Sequence, residues 1–564
     1  MSSTKSNTNT DTYVDNSIDN NSDTPEASLP SGQHRLGDPV VLTLSIGFIV
    51  LFVGLSLYDI NGVADAIGAG FAWTAKVLGA YFQLLLLLTF LVAIGLTCTP
   101  MASARIGNTF TPELSTFKWV SIIMCTLLAG GGVFFAAGEP IYHFVTTPPS
   151  FDTEAGTVDA IAPALAQSFM HWGFLAWAVL GSLTSIVLAH AHYDKGQPLQ
   201  PRNLLYPLFG ERIMSGMFGG VVDALCVIAV VAGTVGPIGF LATQVSFGLH
   251  ELLGVVNNYT TQLIILICLG AIYVTSAVTG IDKGIQLLSR LNVFLALGIA
   301  AVIFLFGPTL FLVNAFTQGF GEYLTNFFTM STMTAQSAPD WWMQWWTVFF
   351  FAWFIGYGPL MAIFVARISR GRTIRQMILT VAVLAPIATT IWFTLLGGSG
   401  IFYQFTGVID LSEALSNFQF DVATLTVAQA LPGGTFMALA ILVLTTIFVA
   451  TTGDSMSYAI AVVGAGHDRP SSLIRAFWGI TMSLMAAILL YMGAGQISAL
   501  QQFIVLTAIP VSLVLLPSLW TGPQAAIAMA RNQGLVSRDL RPIAVPPTSS
   551  TPPAQTGSTP SQEQ

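Results

Sequence analysis

The chain has 564 residues, of which 54% are apolar and only 8% are charged, whereas soluble proteins carry about 25% charged residues. This deficit excludes an ordinary soluble protein, because most of the folded surface must face lipid rather than water. The net charge of −8 indicates little by itself, since acidic and basic residues occupy different parts of the chain. The four cysteines include no CxxC pair, which argues against a disulfide framework or a zinc site.

The two ends of the chain are polar. Residues 1–38 are rich in Ser, Thr, Asn and Asp and lack the apolar core of a secretory signal, which predicts a disordered tail. Residues 523–564 are rich in Pro, Ser and Thr and predict a second tail. The apolar part between them, 39–522, is predicted to be one membrane domain.

Twelve apolar stretches are long enough to cross a bilayer as helices, which takes about 20 residues each. Runs of this length exclude a β-barrel, whose strands have about ten residues of alternating polarity. The predicted spans are 39–58, 78–98, 117–138, 162–189, 215–249, 260–280, 291–314, 341–366, 376–397, 435–462, 471–493 and 499–521. Two amphipathic stretches, 282–290 and 319–330, are predicted to lie at the membrane surface. The predicted fold class is an all-α polytopic membrane protein.

The positions of Lys and Arg indicate the orientation, because basic residues concentrate in cytoplasmic loops. If the N-terminal tail is cytoplasmic, only Lys76 of the 19 basic residues falls on the outside. Both termini are therefore predicted to lie in the cytoplasm. The chain is predicted to be a multi-pass protein of the bacterial cytoplasmic (inner) membrane.

Glycine-rich interruptions occur at comparable depths in the third and eighth predicted spans. They are Ala-Gly-Gly-Gly at 129–132 and Gly-Tyr-Gly-Pro at 356–359. Because five spans separate them, spans 3–7 and 8–12 are predicted to be two inverted repeats. Broken helices at matching positions of two halves are typical of a solute-binding site. The alternative is that glycines only let neighbouring helices pack closely.

Aromatic residues cluster at mid-depth in two predicted spans. Trp172 and Trp177 lie near the middle of the fourth span, and Trp353, Phe354 and Tyr357 lie at similar depth in the eighth. Trp and Tyr usually lie at the membrane surfaces, so these positions need another reason. One is packing in the core, and the other is a cage of ring faces around a cationic headgroup.

Ionisable residues within spans are candidates for function, because a charge in a membrane is costly. Asp223 has no obvious partner in the sequence, and Glu139 at the outer end of its span could simply cap it. His171 could be a core histidine or a proton relay. Asp454 lies at the depth where Arg367 ends the eighth span, so this pair could close an inner gate or tie two helices together.

These residues, with several further segments, resemble the betaine/carnitine/choline transporter family over roughly 39–522. The segments that carry the resemblance are His-Trp at 171–172 with Trp177, Trp-Thr at 346–347, Ala-Trp-Phe-Ile-Gly-Tyr-Gly-Pro at 352–359, Ala-Arg-Ile-Ser-Arg-Gly-Arg at 366–372, Gly-Ile-Gln at 284–286, Gly-Pro-Thr at 307–309 and Thr-Thr-Gly-Asp-Ser at 451–455. The resemblance implies a LeuT-type core of two inverted five-helix repeats. It also implies import of a small onium solute by alternating access, usually with sodium as the coupling ion, and commonly a homotrimer in the membrane lipid.

The resemblance also implies site residues. The substrate would be held by Trp172, Trp177, Trp353, Phe354, Tyr357 and Gly131, and sodium by Phe448, Thr451, Thr452 and Ala129. From the residues alone, both threonine hydroxyls could instead bond back to carbonyls one turn earlier. Leu180 stands where betaine-specific members have a cage tyrosine, so glycine betaine, choline, carnitine and dimethylsulfoniopropionate all stay open as substrates.

Two other functions compete with sodium-coupled import. A membrane enzyme finds no support, because the sequence contains no HExxH, GxSxG, phosphate loop or Cys/His metal set. No cofactor other than the coupling ion and no nucleic-acid partner is expected. The alternative within the family is a sodium-independent antiporter.

Overall fold

The computed structural model describes residues 38–128, 131–279, 282–466, 470–537 and 539–542. Within these residues the secondary structure is α-helical, with short 3₁₀ and π turns, and the predicted all-α class is confirmed. The tails at 1–37 and 543–564 lie outside the described residues.

The helices up to residue 306 are α1 Pro39–Tyr58, α2 Ile60–Thr97, α3 Thr116–Leu128, α4 Gly131–Val145, α5 Ile161–Trp172, α6 Phe174–Gly181, α7 Leu183–Ala189, α8 Tyr206–Phe209, α9 Glu211–Met214, α10 Met217–Leu253, α11 Tyr259–Thr279 and α12 Asp282–Phe306. Those that follow are α13 Thr309–Thr325, α14 Phe327–Ser331, α15 Asp340–Met343, α16 Phe349–Ile368, α17 Ile374–Leu379, α18 Ala385–Phe393, α19 Ser399–Phe405, α20 Ser412–Ser416, α21 Ala423–Ala430, α22 Gly434–Ala465, α23 Ser472–Met492, α24 Ser498–Leu515 and α25 Ser518–Asn532. Five-residue π turns occur at His190–Asp194, Gln344–Val348, Thr380–Leu384 and Thr394–Gly398.

The number of spans is only partly settled. Among the described residues ten helical runs are long and apolar enough to cross a membrane, and a bent pair brings the total to eleven. The predicted third span corresponds to α3 and α4, between which residues 129–130 lie outside the described residues. The predicted count of twelve is therefore not confirmed, although every predicted span overlaps a helix. Helical structure also continues to Asn532, beyond the predicted domain boundary at 522.

The second span is longer than predicted. The sequence predicts an outer loop at 60–77, but α2 is continuous from Ile60 over 38 residues. Asp59 starts it by accepting the backbone N–H of Gly62 on its carboxylate. At about 1.5 Å per residue, the length of α2 exceeds the thickness of the hydrocarbon core of a bilayer, which is roughly 30 Å. It must therefore tilt or project beyond the membrane.

The predicted surface helices at 282–290 and 319–330 are also corrected. The first is the start of α12, and the second is divided between α13 and α14. The axes of α12 and α13 differ by 105°. The turn falls at Gly307 and Pro308, and proline ends the helix there because it has no N–H to donate.

The predicted break at 356–359 is wrong, since α16 is helical through Pro359. The fourth span is interrupted instead, at Gly173 and Ser182, whose backbone angles are not helical. Tyr323 of α13 stabilises the first interruption, because its hydroxyl accepts the freed N–H of Phe174 at 3.1 Å. A side chain at Gly173 would meet that hydroxyl at 2.7 Å, so the close approach requires glycine.

Helices at equivalent positions of the two predicted repeats pack against each other. The fifth and tenth spans, α10 and α22, are in contact, and so are the sixth and eleventh, α11 and α23. A two-fold relation between two repeats produces such pairs. The inverted orientation of the halves stays a prediction.

A buried ionic network supplies the partner that the sequence did not reveal for Asp223. The side chain of Arg202 donates to Asp223 Oδ2 and to Asp38 Oδ2, both at 2.6 Å. Asp38 in turn caps α1 by accepting the N–H of Val40 at 2.9 Å. Burial opposes ionisation of Asp38, but the hydrogen bond and charge of Arg202 outweigh it and hold the pKa of Asp38 below its ordinary value. Arg202 therefore ties the start of α1 to α10.

Replacing Arg202 should destabilise the protein strongly. Arg202→Met leaves the fully buried Asp223 carboxylate without its counter-charge, which costs about 3–5 kcal/mol. Denaturation of purified protein by SDS in detergent micelles measures the change in the free energy of unfolding. The control is Glu113→Gln, which removes the exposed pair with Arg370 and should cost at most about 1 kcal/mol. Equal stability of the two variants would contradict this role of Arg202.

Candidate functional site

Three predicted site residues meet between α5 and α16. Trp172 ends α5, and Trp353 and Phe354 lie on α16. The ring centroid of Trp172 lies 5.9 Å from that of Trp353 and 5.5 Å from that of Phe354, both edge to face. Trp353 and Phe354 stack at 6.2 Å. These three residues form one group of touching rings, the aromatic cluster.

Phenylalanines that the sequence did not single out enclose the aromatic cluster. They come from α4, α10, α16 and α18: Phe135, Phe240, Phe350 and Phe393. The ring centroids of Phe393 and Phe350 lie 5.1 and 5.2 Å from that of Trp172. The ring centroid of Phe240 lies 5.7 Å from that of Trp353. Phenylalanine is common in apolar spans, so composition offered no signal for these positions. Their rings keep the cluster away from lipid and water.

Gly131 lets the backbone of α4 touch the two tryptophans. A Cβ at this position would collide with the ring of Trp353 and lie 2.7 Å from Cη2 of Trp172. Such contacts are too short for any side chain, so only glycine fits without moving a ring. A role of Gly131 in substrate binding stays a prediction.

Tyr357 lies one turn beyond Trp353 and faces α10. Its hydroxyl is 3.1 Å from Oγ1 of Thr234, and Trp353 donates its indole N–H to the carbonyl of Gly233 at 3.1 Å. Both side chains therefore anchor α16 to neighbouring residues of α10. Tyr357 borders the cluster through Gly233 rather than through a ring contact.

Trp177 is placed differently. It is buried on α6, beyond the interruption at Gly173, and the ring contacts found among the described residues do not join it to the aromatic cluster. The interruption at Gly173, whose backbone angles are not helical, lies between Trp172 and Trp177. A role for Trp177 in binding stays a prediction.

Glu139 is the functional residue that sequence reasoning undervalued. Instead of capping a helix end, it is fully buried, and its Oε2 accepts the indole N–H of Trp172 at 2.7 Å. Its Oε1 lies 2.6 Å from Nδ1 of His171. His171 Nε2 is in turn 3.2 Å from Oγ1 of Thr347, in the π turn before α16. Glu139 thus connects α4 to α5 and, through His171, to the eighth span.

His143 adds a third ligand-type group beside Glu139 and His171. Its Nε2 is 3.7 Å from Glu139 Oε1, and neither ring nitrogen has a hydrogen-bond partner among the described residues. By residue type the three could hold a metal ion. Two ligands of one tetrahedral zinc lie roughly 3.3 Å apart, however, and Glu139 and His171 are closer than that. The pair fits a hydrogen bond better than a metal site.

The two threonines among the predicted sodium ligands differ in the hydrogen bonding of their hydroxyls. Thr451 donates its hydroxyl to the carbonyl of Ile447 at 2.8 Å, which is the back-bonding alternative. The hydroxyl of Thr452 is buried without a hydrogen-bond partner in the described part of the chain. The carbonyl of Phe448 lies 3.2 Å from the Thr451 hydroxyl, and Ala129 lies outside the described residues. Thr452 is therefore the residue on which a cation site would depend.

Asp454, which is predicted to be part of an inner gate, lies beside a basic residue of α23. Asp454 lies 3.7 Å from the guanidinium of Arg475 on α23, whereas Arg367 lies at the end of α16 near Tyr193. The sequence did not indicate Arg475, because it lies across a loop from Asp454. A gate formed by Arg367 and Asp454 stays a prediction.

Comparison with known proteins decides the family. The family model of the betaine/carnitine/choline transporters matches residues 40–531. The chain belongs to this family. A glycine betaine transporter of Vibrio parahaemolyticus is 49% identical over 88% of this chain and 91% of its own length. The glycine betaine transporter OpuD of Bacillus subtilis is 32% identical over 82% of this chain and 88% of its own length. An ectoine/hydroxyectoine transporter of Virgibacillus pantothenticus is 30% identical over 85% of this chain and 95% of its own length.

Membership of the betaine/carnitine/choline transporter family confirms the main functional expectation. The protein is a multi-pass membrane transporter of onium solutes and not an enzyme. The aromatic cluster fits this class, because an onium headgroup offers no ordinary hydrogen-bond donor and is bound by ring faces.

A side chain at Gly131 should impair transport. Gly131→Ala pushes the rings of Trp353 and Trp172 from their positions, and overpacking of this kind costs about 1–3 kcal/mol. The initial rate of uptake of a radiolabelled onium solute, normalised to the amount of protein in the membrane, should fall at least about fivefold. Gly54→Ala is the control, since nothing lies within 4 Å of its added Cβ. A full rate in Gly131→Ala would show that the rings do not need this space.

Proposed function

We propose that the protein imports a betaine, a small solute with a quaternary ammonium headgroup and a carboxylate, together with sodium ions by alternating access. The observation that carries the proposal is the aromatic cluster of Trp172, Trp353 and Phe354, enclosed at the interface of α4, α5 and α16. Its ring faces are suited to a headgroup that carries charge but cannot donate hydrogen bonds.

The spacing of the rings suggests how the headgroup enters. A cation on a ring face lies within about 6 Å of the ring centroid. The ring centroids of Trp172 and Trp353 are themselves only 5.9 Å apart. A trimethylammonium group therefore does not fit between them as they stand. It must part the rings in order to bind, and ring movement of this kind would couple binding to a change in the helices that carry them.

Glycine betaine is the proposed substrate within the onium class. The name of the relative at 49% identity supports it, whereas Leu180 replaces the tyrosine that the family resemblance places in betaine cages. Phe135 and Phe393 pack on Trp172 from two further helices and could supply the missing ring surface. Choline, carnitine, dimethylsulfoniopropionate and ectoine are the competitors to be compared.

Sodium is the proposed coupling ion, held by Thr451, Thr452, the carbonyl of Phe448 and Ala129. Sodium is a hard cation that prefers oxygen ligands, and buried hydroxyls normally have partners. The buried Thr452 hydroxyl, which has no hydrogen-bond partner among the described residues, supports this site. Thr451 would have to turn its hydroxyl away from Ile447 to join it.

The membrane arrangement completes the proposal. Both termini would face the cytoplasm of the bacterial cell, as the Lys and Arg distribution indicates. The ends of α16 and α22 near Arg367 and Asp454 would then form the inner gate. A homotrimer is the proposed assembly, on the family resemblance alone.

Sodium dependence of uptake tests the proposed function. Proteoliposomes should accumulate radiolabelled glycine betaine, in preference to the other four solutes, when an inward sodium gradient is applied. Thr452→Ala should raise the sodium concentration for half-maximal uptake about tenfold, equivalent to roughly 1.4 kcal/mol for one lost ligand. Thr446→Ala is the matched control on the same helix, because that hydroxyl is already bonded to the carbonyl of Leu442 at 2.8 Å.

Two results would contradict this proposal. Equal uptake with potassium in place of sodium, together with sodium-independent counterflow, would identify the antiporter instead. Equal sodium requirements of Thr452→Ala and Thr446→Ala would exclude Thr452 as a ligand.

A further inference from the structure

The two tryptophans of the aromatic cluster donate their indole N–H groups to different kinds of acceptor. Trp172 donates to Oε2 of Glu139 at 2.7 Å, and Trp353 donates to the backbone carbonyl of Gly233 at 3.1 Å. A carboxylate carries a formal charge and a peptide carbonyl does not. Hydrogen bonds to ionised groups are shorter and roughly twice as strong as neutral ones. The two rings are therefore not equivalent as binding sites for a cation.

The surroundings of Glu139 strengthen this difference. Its side chain is fully buried, so water would not screen a charge on its carboxylate. Among the described residues the imidazole rings of His171 and His143 lie beside its carboxylate, with nitrogens 2.6 and 3.7 Å from Oε1. Gln167 Nε2 lies 3.1 Å from His171 Nε2. An amide N–H donated there makes that ring nitrogen an acceptor and leaves the proton on Nδ1. His171 then donates to Oε1 while Trp172 donates to Oε2, and the carboxylate accepts on both oxygens.

Donation to a carboxylate changes the indole ring itself. The partial negative charge of the acceptor draws the N–H proton outward and increases the electron density on the ring. Because a cation is attracted to a ring face electrostatically, a ring polarised in this way binds a cation more strongly. The same hydrogen bond fixes the orientation of the ring relative to Phe354 and Trp353.

We propose that Glu139 is ionised and is a positioning residue that acts through Trp172 to select a permanently cationic headgroup over a neutral one of the same shape. The proposal rests on the proposed binding of a betaine at the aromatic cluster and adds its source of charge selectivity. In this proposal the ring of Trp172 binds a cationic headgroup more strongly than a neutral one. Trp353, bonded to a neutral carbonyl, supplies apolar surface to charged and neutral headgroups alike.

A pair of ligands isolates the effect of charge from that of shape. Glycine betaine and 3,3-dimethylbutyrate both carry a carboxylate and a head of three methyl groups, but the central atom is a cationic nitrogen in one and a neutral carbon in the other. The dissociation constants of both are measured on purified protein in detergent at saturating sodium. Wild type should prefer glycine betaine clearly.

Glu139→Gln removes the charge but keeps the size and an oxygen that can accept the Trp172 N–H. It should weaken the binding of glycine betaine about five- to tenfold and that of 3,3-dimethylbutyrate less than about twofold. A purely structural role of Glu139 would weaken both ligands alike. Equal losses for the two ligands, or no loss for either, would overturn the proposal.

A double-mutant cycle tests whether the effect passes through Trp172. In a Trp172→Phe background, which lacks the N–H, Glu139→Gln should change betaine binding less than about twofold. In the matched Trp353→Phe background it should still cause about a five- to tenfold loss. An undiminished loss in the Trp172→Phe background would show that Glu139 acts on the cation directly, and would contradict the proposal.

A second substitution covers the case in which Glu139→Gln does not fold. Replacing the Trp172 side chain by that of 3-benzothienylalanine keeps the double ring but exchanges the N–H for sulfur, and it should cause the same selective loss for glycine betaine. Retained selectivity in that protein would reject the inference. If wild type itself binds neither ligand, the proposed function fails; if it binds both equally, only the charge-selectivity inference fails.

Discussion

A carboxylate buried in a membrane protein must be satisfied by its neighbours, and at Glu139 this requirement organises the region around the aromatic cluster. An ionised group without partners would cost several kcal/mol in an apolar environment. Trp172 and His171 meet the need from consecutive positions at the end of α5, with contacts of 2.7 and 2.6 Å. Because His171 also reaches Thr347, the same carboxylate fixes the relation of α4, α5 and the eighth span.

The helices around this network depart from regular geometry where the rings must meet. The fourth span is interrupted at Gly173, directly after Trp172, and Tyr323 compensates for the lost backbone bond. A π turn precedes α16 at Gln344–Val348 and another follows α18 at Thr394–Gly398; such turns are frequent at functional sites. Gly131 then allows the backbone of α4 to lie against both tryptophans. The site therefore depends on local irregularities in three spans rather than on whole regular helices.

Much of this could be predicted from sequence, and the failures have physical reasons. Apolar length and depth along a helix placed Trp172, Trp353 and Phe354 together correctly, because both quantities are local. The sequence leaves open that Glu139 simply caps its helix, because its apolar run ends beside it, whereas the three-dimensional packing shows that α5 covers it. The partner of Asp223 lies in a loop 21 residues away, where no periodicity operates. The break expected at Pro359 is absent because neighbouring helices can satisfy the groups that proline frees, and the real break at Gly173 depends on Tyr323, which is 150 residues distant in the chain.

The central claim is that the onium headgroup binds on the aromatic cluster. The most direct measurement is an experimental structure with arsenobetaine, in which arsenic replaces the quaternary nitrogen and can be located by its anomalous scattering. The account predicts a single arsenic position within about 6 Å of the ring centroid of Trp172, in contact with Phe354 or Trp353. An arsenic position beside Trp177, or elsewhere without contact to the ring of Trp172, would contradict it.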